Sequence, residues 1–149
     1  MGRTVLFLCT GNYYRSRFAE QVFNAGACGM DWCARSRGLD LEKGKDNVGP
    51  MSTVALASLR ERGIPLSRPL RHPAQVTRQD FALAARVIAA DRTEHEPYMY
   101  KYFSEFLPLT TYWHIKDVAP GPEYNPLDEI YAQVQLLLQH LKEEMGRGR

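Results

Sequence analysis

The chain contains little cysteine, and none of it is arranged for metal or disulfide chemistry. Of 149 residues only three are cysteines, Cys9, Cys28 and Cys33. They lack the paired spacing that binds zinc and the even number that builds a secreted disulfide framework. The sequence therefore predicts no metal site, a reducing compartment and a cytoplasmic location.

The chain also has only a small excess of positive over negative charge and no long apolar run. The formal net charge is +2 and the sequence pI is about 8.5, an excess of positive charge too small to favour nucleic acid as a partner. The apolar run Val5–Leu8 is far too short to cross a membrane, and it lacks a signal-peptide cleavage pattern. We therefore expect neither nucleic acid nor a membrane as a partner.

The sequence does contain an alternation of strand and helix patterns. Predicted strands cover Thr4–Leu8, Trp32–Ser36, Arg86–Ala90 and a fourth that Phe106–Thr110 leads into. Asn125 and Pro126 are typical of the cap and first turn of a last helix. The alternation predicts an α/β fold, with a four-stranded parallel sheet and helices on both faces. The length fits a single domain over residues 1–149.

The most informative segment follows the first predicted strand. It reads Cys-Thr-Gly-Asn-Tyr-Tyr-Arg over residues 9–15, and we call it the Cys9 loop. A helical pattern begins at Ser16, so the loop joins a strand to a helix N-terminus, where free amides and the helix dipole attract anions. We expect Gly11 to adopt a positive φ that lets successive amides converge on an oxyanion. The same field favours the thiolate form of Cys9, and Arg15 offers a planar fork of donors for two phosphoryl oxygens.

Each of these residues also has an ordinary alternative role. A cysteine at the end of a strand is most often a small buried apolar residue, and an arginine early in a helix usually points into water. Ser16 can simply cap the helix, and Asn12 can form a turn. The joint occurrence of all these residue types in one turn favours a phosphate-binding loop after the first strand.

The segment Val5–Glu20, reading VLFLCTGNYYRSRFAE, resembles the N-terminal signature of the low-molecular-weight protein tyrosine phosphatases. Ala34–Gly38 resembles the second strand and turn of that family, and Val87–Asp91 resembles its third strand. Trp113–Val118 falls where the family carries its general-acid aspartate. The resemblance spans nearly the whole chain.

The resemblance implies a mechanism that needs no metal and no organic cofactor. In it the Cys9 thiolate attacks phosphorus and forms a phosphocysteine, and Asp117 first protonates the leaving oxygen and then activates water. Substrate oxygens are held by the Cys9 loop, that is by Thr10, Gly11, Asn12, Tyr13, Tyr14 and Arg15. Ser16 is expected to donate a hydrogen bond to the sulfur, and Asn12 and Ser36 are expected to brace the loop.

The acid position departs from the family pattern. The usual Asp-Pro pair of the family is here Asp117-Val118, and Glu123 and Asp128 remain alternative proton donors. Asp128 also suits the first turn of the last helix, where a carboxylate complements the dipole. Arg17 stands where the family usually has proline and is expected to add positive charge near the loop, with simple solvent exposure as the alternative.

Two tyrosines in the Cys9 loop bear on the substrate. Tyr13 and Tyr14 replace the small or aliphatic residue and the cysteine that are common in the family, so the pocket gains aromatic walls. Relatives that hydrolyse phosphoarginine typically carry threonine where Tyr13 stands. The expected partner is therefore a protein containing phosphotyrosine, whose ring Tyr13, Leu39 or Tyr124 could contact.

Other functions compete with a phosphatase. Thioredoxin-coupled arsenate reductases share the loop but need two further cysteines beyond the middle of the chain, and no cysteine follows Cys33. A phosphate-binding protein of low activity is the second alternative, although the chain retains both Cys9 and Arg15. Cys28 or Cys33 could shelter Cys9 in a disulfide, but an inert buried thiol is expected for both.

Overall fold

The computed structural model describes residues 2–66, 70–117 and 124–147. Four parallel strands form one sheet in the order β2-β1-β3-β4. The strands are β1 (Arg3–Cys9), β2 (Trp32–Gly38), β3 (Arg86–Ala89) and β4 (Thr110–Tyr112). The predicted four-stranded parallel sheet is thus confirmed, and β1 lies at its centre, as expected for the most apolar segment of the chain.

Five α-helices connect and cover the described strands. They are α1 (Arg15–Gly26), α2 (Thr53–Glu61), α3 (Arg78–Leu83), α4 (Arg92–Tyr102) and α5 (Pro126–Arg147), with short 3₁₀ helices at Leu41–Gly44 and Ser104–Leu109. Local sequence signals set several helix starts. Thr77 and Asp80 form the predicted capping box of α3, and the Asn125 side chain accepts a hydrogen bond from the amide of Leu127 at the start of α5. None of the helices in the described ranges is long and apolar enough to cross a membrane.

Alternation along β1 builds a separate core on each face of the sheet. Val5 and Phe7 point into a cluster formed with α1, α2 and α5, whereas Leu6 and Leu8 point into a cluster formed with α3 and α4. Burying a side chain of this size stabilises the fold by about 1.5–3 kcal/mol relative to leaving it in water. Helices therefore cover both faces, as the strand–helix alternation predicts.

The fourth strand begins later than the sequence suggests. The segment Phe106–Thr110, expected to lead into a strand, lies mostly in the 3₁₀ helix Ser104–Leu109, and β4 covers only Thr110–Tyr112. Pro108 explains the delay, because proline has no amide hydrogen for the ladder with β3. The strand is kept in the sheet by contacts such as the bond from the Trp113 amide to the Ala89 carbonyl, at 2.9 Å.

Two cysteines lie elsewhere than expected. Cys28 and Cys33 are both solvent exposed, so the prediction that they are buried thiols is wrong. Cys33 faces Thr4 across the β1–β2 ladder, while Cys9 faces Gly38. Five residue steps of about 3.3 Å separate the two positions, roughly 16 Å, which excludes a Cys9–Cys33 disulfide in this fold.

The strand order places the functional loops at one edge. The order reverses between β1 and β3, because β1 neighbours both β2 and β3. Ligands of open α/β sheets bind beyond the carboxyl ends of the strands at such a switch point. The Cys9 loop follows β1, and the turn from Ala90 into α4 follows β3, so both reach this edge.

Candidate active site

A cavity of about 280 Å³ opens at the switch point. It is bounded by the Cys9 loop, by the 3₁₀ helix Leu41–Gly44 and the turn after it, by α4 and by the segment before residue 118. Its lining consists of Cys9, Thr10, Gly11, Tyr13, Tyr14, Arg15, Lys43, Gly44, Asn47, Glu94 and Asp117. Most of the predicted site residues therefore share this one cavity.

The backbone of the Cys9 loop is held from outside the cavity. The carbonyls of Cys9, Thr10 and Tyr13 accept hydrogen bonds of 2.9, 3.0 and 2.9 Å from the amides of residues 39, 40 and 52. Among the residues described, no carbonyl or side chain accepts a hydrogen bond from the amides of residues 10–14. The carbonyls are thus occupied while the amides remain available, which is the arrangement that an oxyanion requires.

The residue with positive φ in the loop is Asn12 rather than Gly11. Asn12 has φ 52°, whereas Gly11 is not in the left-handed region, so the expectation for Gly11 is wrong. Asparagine tolerates this conformation because its side chain makes local hydrogen bonds. The close approach here requires glycine at position 44, since a Cβ on Gly44 would lie 2.8 Å from Asn47 Nδ2 and 3.3 Å from the Gly11 Cα.

Cys9 is held by a chain of directed hydrogen bonds. Its Sγ lies 2.9 Å from Ser16 Oγ, and Ser16 Oγ accepts a bond of 2.9 Å from Asn12 Nδ2. Because the Asn12 amide donates to Ser16, the hydroxyl proton of Ser16 is free to point at the sulfur. The Ser16 hydroxyl is therefore placed to donate a hydrogen bond to the sulfur, the contact that the resemblance implies.

Arg15 is buried and held by three groups. Its side chain is 2% exposed; Nη1 donates to the Ile115 carbonyl at 2.9 Å and Nη2 donates to Glu94 at 2.8 Å. Nε lies 3.3 Å from Asp117 Oδ1. Burial by itself would lower the pKa of Arg15, but the hydrogen bond to Glu94 and the surrounding negative charges raise it. The guanidinium therefore stays charged inside the cavity.

Asp117 lies where the resemblance predicts a proton donor. It follows β4 at the same carboxyl edge of the sheet as the Cys9 loop, and its side chain is 56% exposed. Asp128, an alternative, lies on the first turn of α5 and pairs with Arg62, away from the described cavity lining. Glu123, the other alternative, lies outside the described residues. Of the two proposed donors among the described residues, Asp117 and Asp128, it is Asp117 that lines the cavity.

Glu94 is a member of the site that the sequence analysis missed. It lies three residues beyond the turn after β3, and its Oε2 accepts hydrogen bonds from Arg15, Thr10 and His95. Burial of Glu94 opposes its ionisation, but the hydrogen bonds from His95, Arg15 and Thr10 outweigh burial and lower its pKa well below the ordinary value. A glutamate in the first turn of a helix is so common that its sequence position alone gave no signal.

A second polar network braces the back of the Cys9 loop. Arg71 donates to Asn12 Oδ1 at 3.0 Å, to the Ser36 carbonyl at 2.6 Å and to Ser36 Oγ at 3.0 Å. Ser36 in turn donates to Glu20 at 2.9 Å and accepts from Asn12 at 3.0 Å. The predicted bracing by Asn12 and Ser36 is seen in these contacts, whereas Arg71 and Glu20 were missed.

Arg17 also belongs to this back side. It is 1% exposed, donates to the Pro50 carbonyl at 3.0 Å and lies 3.5 Å from Glu20. It is not among the described residues that line the cavity, but its charge acts on Cys9, so the expectation that it adds positive charge near the loop stays a prediction. Burial, together with the positive charge of Arg71, lowers the pKa of Arg17 to about 10.

Two tyrosines form part of the cavity wall. The Tyr13 hydroxyl donates to the Val48 carbonyl at 2.7 Å, which ties the Cys9 loop to the turn beyond Lys45. Burial and the nearby Asp117 raise the pKa of Tyr14. Leu39, expected to contact a substrate ring, lies in the core instead, and Tyr124 is not among the described residues that line the cavity.

Comparison with known proteins agrees with this geometry. The family model of the low molecular weight phosphotyrosine protein phosphatases matches residues 4–147. A low molecular weight protein tyrosine phosphatase from T. tengcongensis is 25% identical, with a TM-score of 0.74 over 96% of this chain and 99% of that chain. No curated protein matches the sequence significantly.

Two further solved structures share the fold at lower identity. The YwlE arginine phosphatase from Geobacillus stearothermophilus is 22% identical, with a TM-score of 0.79 over 99% of this chain and 97% of that chain. Vibrio vulnificus Wzb, solved in complex with benzylphosphonate, is 16% identical, with a TM-score of 0.73 over 97% of this chain and 99% of that chain. The family match over nearly the whole chain, together with Cys9 directly after β1, shows that this chain belongs to the low molecular weight protein tyrosine phosphatases and is a cysteine-based phosphatase.

Proposed function

We propose that the chain removes phosphate from phosphotyrosine in proteins, through a phosphocysteine on Cys9. The observation that carries the proposal is the position of Cys9 Sγ, held 2.9 Å from Ser16 Oγ in a cavity that Arg15 and Asp117 also line. A nucleophile, an anion fork and a proton donor thus meet around one space large enough for a phosphoryl group.

The first half of the reaction uses the three side chains in fixed roles. The Cys9 thiolate forms a bond to phosphorus as the bond to the leaving oxygen breaks, and Asp117 gives that oxygen its proton. The free amides of residues 10–14 and the guanidinium of Arg15 hold the other phosphoryl oxygens while negative charge develops on them. Because these donors are already oriented by the bracing network, little reorganisation accompanies the step.

The second half returns the enzyme to its starting state. Asp117, now ionised, takes a proton from a water molecule as that water attacks the phosphocysteine. The sulfur–phosphorus bond breaks, inorganic phosphate forms and the thiolate is restored. Asp117 serves in both halves because its side chain is half exposed, which allows access to water from outside the cavity.

The walls of the cavity support an aromatic substrate. Tyr13 and Tyr14 line it, and the bond from Tyr13 to Val48 fixes one ring in place. A flat phenol ring can stack between such side chains, whereas a small phosphomonoester gains little from them. The exposed thiols of Cys28 and Cys33 are most stable in a reducing compartment, so we also propose that the protein works in the cytoplasm.

Replacing the nucleophile tests the proposal. Purified protein should hydrolyse p-nitrophenyl phosphate in the presence of a metal chelator, and Cys9→Ser should abolish turnover because a serine hydroxyl is not ionised at neutral pH. The exposed Cys28→Ser is the matched control and should keep the wild-type rate. Activity that survives Cys9→Ser would contradict the phosphocysteine, and tight phosphate binding without turnover in the wild type would indicate a binding protein.

A panel of substrates tests the substrate class. The same protein is assayed on a phosphotyrosine peptide, on phosphoarginine and on a small aliphatic phosphomonoester. We expect the largest kcat/KM for the phosphotyrosine peptide. A larger kcat/KM for phosphoarginine would overturn the assignment to phosphotyrosine and leave the phosphatase chemistry in place.

A further inference from the structure

The carboxylate of Glu94 holds donors that belong to the phosphate site. Its Oε2 accepts from Arg15 Nη2 at 2.8 Å and from the Thr10 hydroxyl, and both residues are part of the Cys9 loop. A carboxylate oxygen and a phosphoryl oxygen are alike in charge and in hydrogen-bond geometry. Glu94 therefore makes, inside the protein, contacts of the kind that a bound phosphoryl group would make.

His95 fixes Glu94 in this position from the side of α4. The Asp91 amide donates to His95 Nδ1 at 3.1 Å, so the ring hydrogen lies on Nε2. Nε2 lies 3.1 Å from Glu94 Oε2, and His95 is 0% exposed. The buried imidazole thus donates through Nε2 and holds the carboxylate against the Cys9 loop.

Two of the three guanidinium nitrogens of Arg15 make hydrogen bonds, and the third, Nε, makes none among the described residues. Nη1 is bound to the Ile115 carbonyl, Nη2 to Glu94, and Nε is paired with Asp117. A phosphoryl group that binds the fork in a bidentate manner uses two of these nitrogens. Since the Ile115 carbonyl holds Nη1 on the far side, a phosphoryl group that binds the other edge of the guanidinium meets an unbonded Nε and an Nη2 that Glu94 already occupies.

We propose that Glu94 is an internal competitor for the phosphoryl group, and that its release of Arg15 sets how tightly the site holds oxyanions. The inference rests on the proposed function only in that it places phosphate in this cavity. By returning to Arg15, Glu94 promotes departure of inorganic phosphate after turnover. It is a positioning residue that acts through Arg15 and Thr10 rather than on the reacting atoms.

Helix α4 offers a matched control for the charge of Glu94. Glu96 lies two residues further along α4 and pairs with Arg92 at 2.7 Å on the surface. Glu96→Gln removes the same charge and the same carboxylate while it leaves Arg15 untouched. A difference between Glu94→Gln and Glu96→Gln therefore reports the contact with the Cys9 loop rather than the net charge of the protein.

Direct titration with inorganic phosphate tests the proposal without using turnover. Calorimetry at neutral pH should show Glu94→Gln and Glu94→Ala binding phosphate about tenfold more tightly than the wild type, the effect of one lost charge-assisted competitor. Glu96→Gln should bind like the wild type. In a steady-state assay the two Glu94 variants should show a lower KM and stronger product inhibition by phosphate, without a rise in kcat.

The outcomes separate this proposal from the proposed function. Phosphate affinity of the Glu94 variants equal to or below that of the wild type, in protein that melts cooperatively, would mean that Glu94 supports the site instead of competing for it. Should a variant fail to fold, an NMR titration of the wild-type protein with phosphate tests the proposal instead. The signal of His95 Nε2–H should shift as Glu94 moves away from it, and an unchanged signal at saturation would overturn the proposal. Tighter binding by the variants with no turnover in the wild type would remove the phosphatase assignment and leave the competitor in place.

Discussion

The two sides of the Cys9 loop hold their arginines in opposite electrostatic surroundings. Arg15 and Arg17 lie two residues apart in α1 and are both almost completely buried. At the front, burial would lower the pKa of Arg15, but Glu94 and Asp117 reverse the effect and raise it. At the back, burial and the like charge of Arg71 lower the pKa of Arg17 to about 10.

The difference shows what each buried cation does. At the front the charge is matched by carboxylates that can move away or exchange with an incoming anion. At the back Arg17 and Arg71 share one carboxylate, Glu20, and otherwise bind uncharged carbonyl and hydroxyl oxygens of the protein. The front arginine can therefore bind ligands, and the back arginines fix the shape of the loop.

Replacing each arginine by lysine should separate the two roles most strongly. Arg15→Lys removes the planar fork, so kcat/KM for p-nitrophenyl phosphate should fall by about 10³-fold, as for the loss of a donor to a developing oxyanion. Arg17→Lys should keep kcat/KM within about twofold and lower the melting temperature by about 2–4 °C. Steady-state kinetics and thermal melts on the same preparations measure both.

Equal losses of activity in the two lysine variants would break the comparison. Such a result would mean that the charge behind the loop, and not only its shape, takes part in binding the substrate. Inhibition by inorganic phosphate then shows whether binding or the chemical step is affected. If Arg17 contributes to phosphate binding, the inhibition constant of phosphate should rise in Arg17→Lys.

The carboxylates of the two sides give a second contrast of smaller size. Asp117→Asn removes the proposed proton donor, so kcat should fall by about 10²-fold for phenyl phosphate and less for p-nitrophenyl phosphate, whose leaving oxygen needs no proton. Glu20→Gln, the control behind the loop, should lower stability and leave the dependence on the leaving group unchanged. A series of substituted phenyl phosphates measures that dependence, and an unaltered slope for Asp117→Asn would rule out Asp117 as the donor.

The sequence predicted the parts of the site that are local in the chain. Cys9, Asn12, Arg15 and Ser16 lie within one turn, where a short motif fixes both residue types and geometry. The parallel sheet was predicted for the same reason, because strand and helix patterns are visible in short stretches of sequence. The start of β4 shows the limit of prediction from short windows. It depends on which residues can donate a backbone hydrogen bond to β3, and Pro108 cannot.

The residues that were missed reach the loop from distant parts of the chain. Arg71 contacts Asn12 across 59 positions, and Glu94 contacts Arg15 across 79. Neither carries a local signal, because an arginine in a proline-rich segment and a glutamate in a first helical turn are both usually solvent exposed. The position of Glu94 follows only once the strand order brings the turn after β3 beside the Cys9 loop. The position of Arg71 follows only once the segment around Gln75 pairs with Gly38 at the end of β2.

The smallest effect expected concerns acid stability at the front of the loop. The titratable groups that face Glu94 are Arg15, His95 and Lys43. Burial of Glu94 would raise its pKa, but the hydrogen bonds that it accepts lower its pKa below the ordinary value of 4.5. The folded protein thus binds fewer protons at Glu94 than the unfolded chain does, so the stabilisation is complete above about pH 4.5 and is lost as the pH falls. Glu94→Gln should melt about 2–4 °C below the wild type at pH 7, and the gap should shrink steadily from pH 5 to pH 3. The surface variant Glu96→Gln should show a smaller gap at pH 7, because an exposed pair contributes little. A gap for Glu94→Gln that stays constant with pH would show that the amide loses packing rather than charge. The contrast between the two arginines would then rest on Cys9 and Asp117.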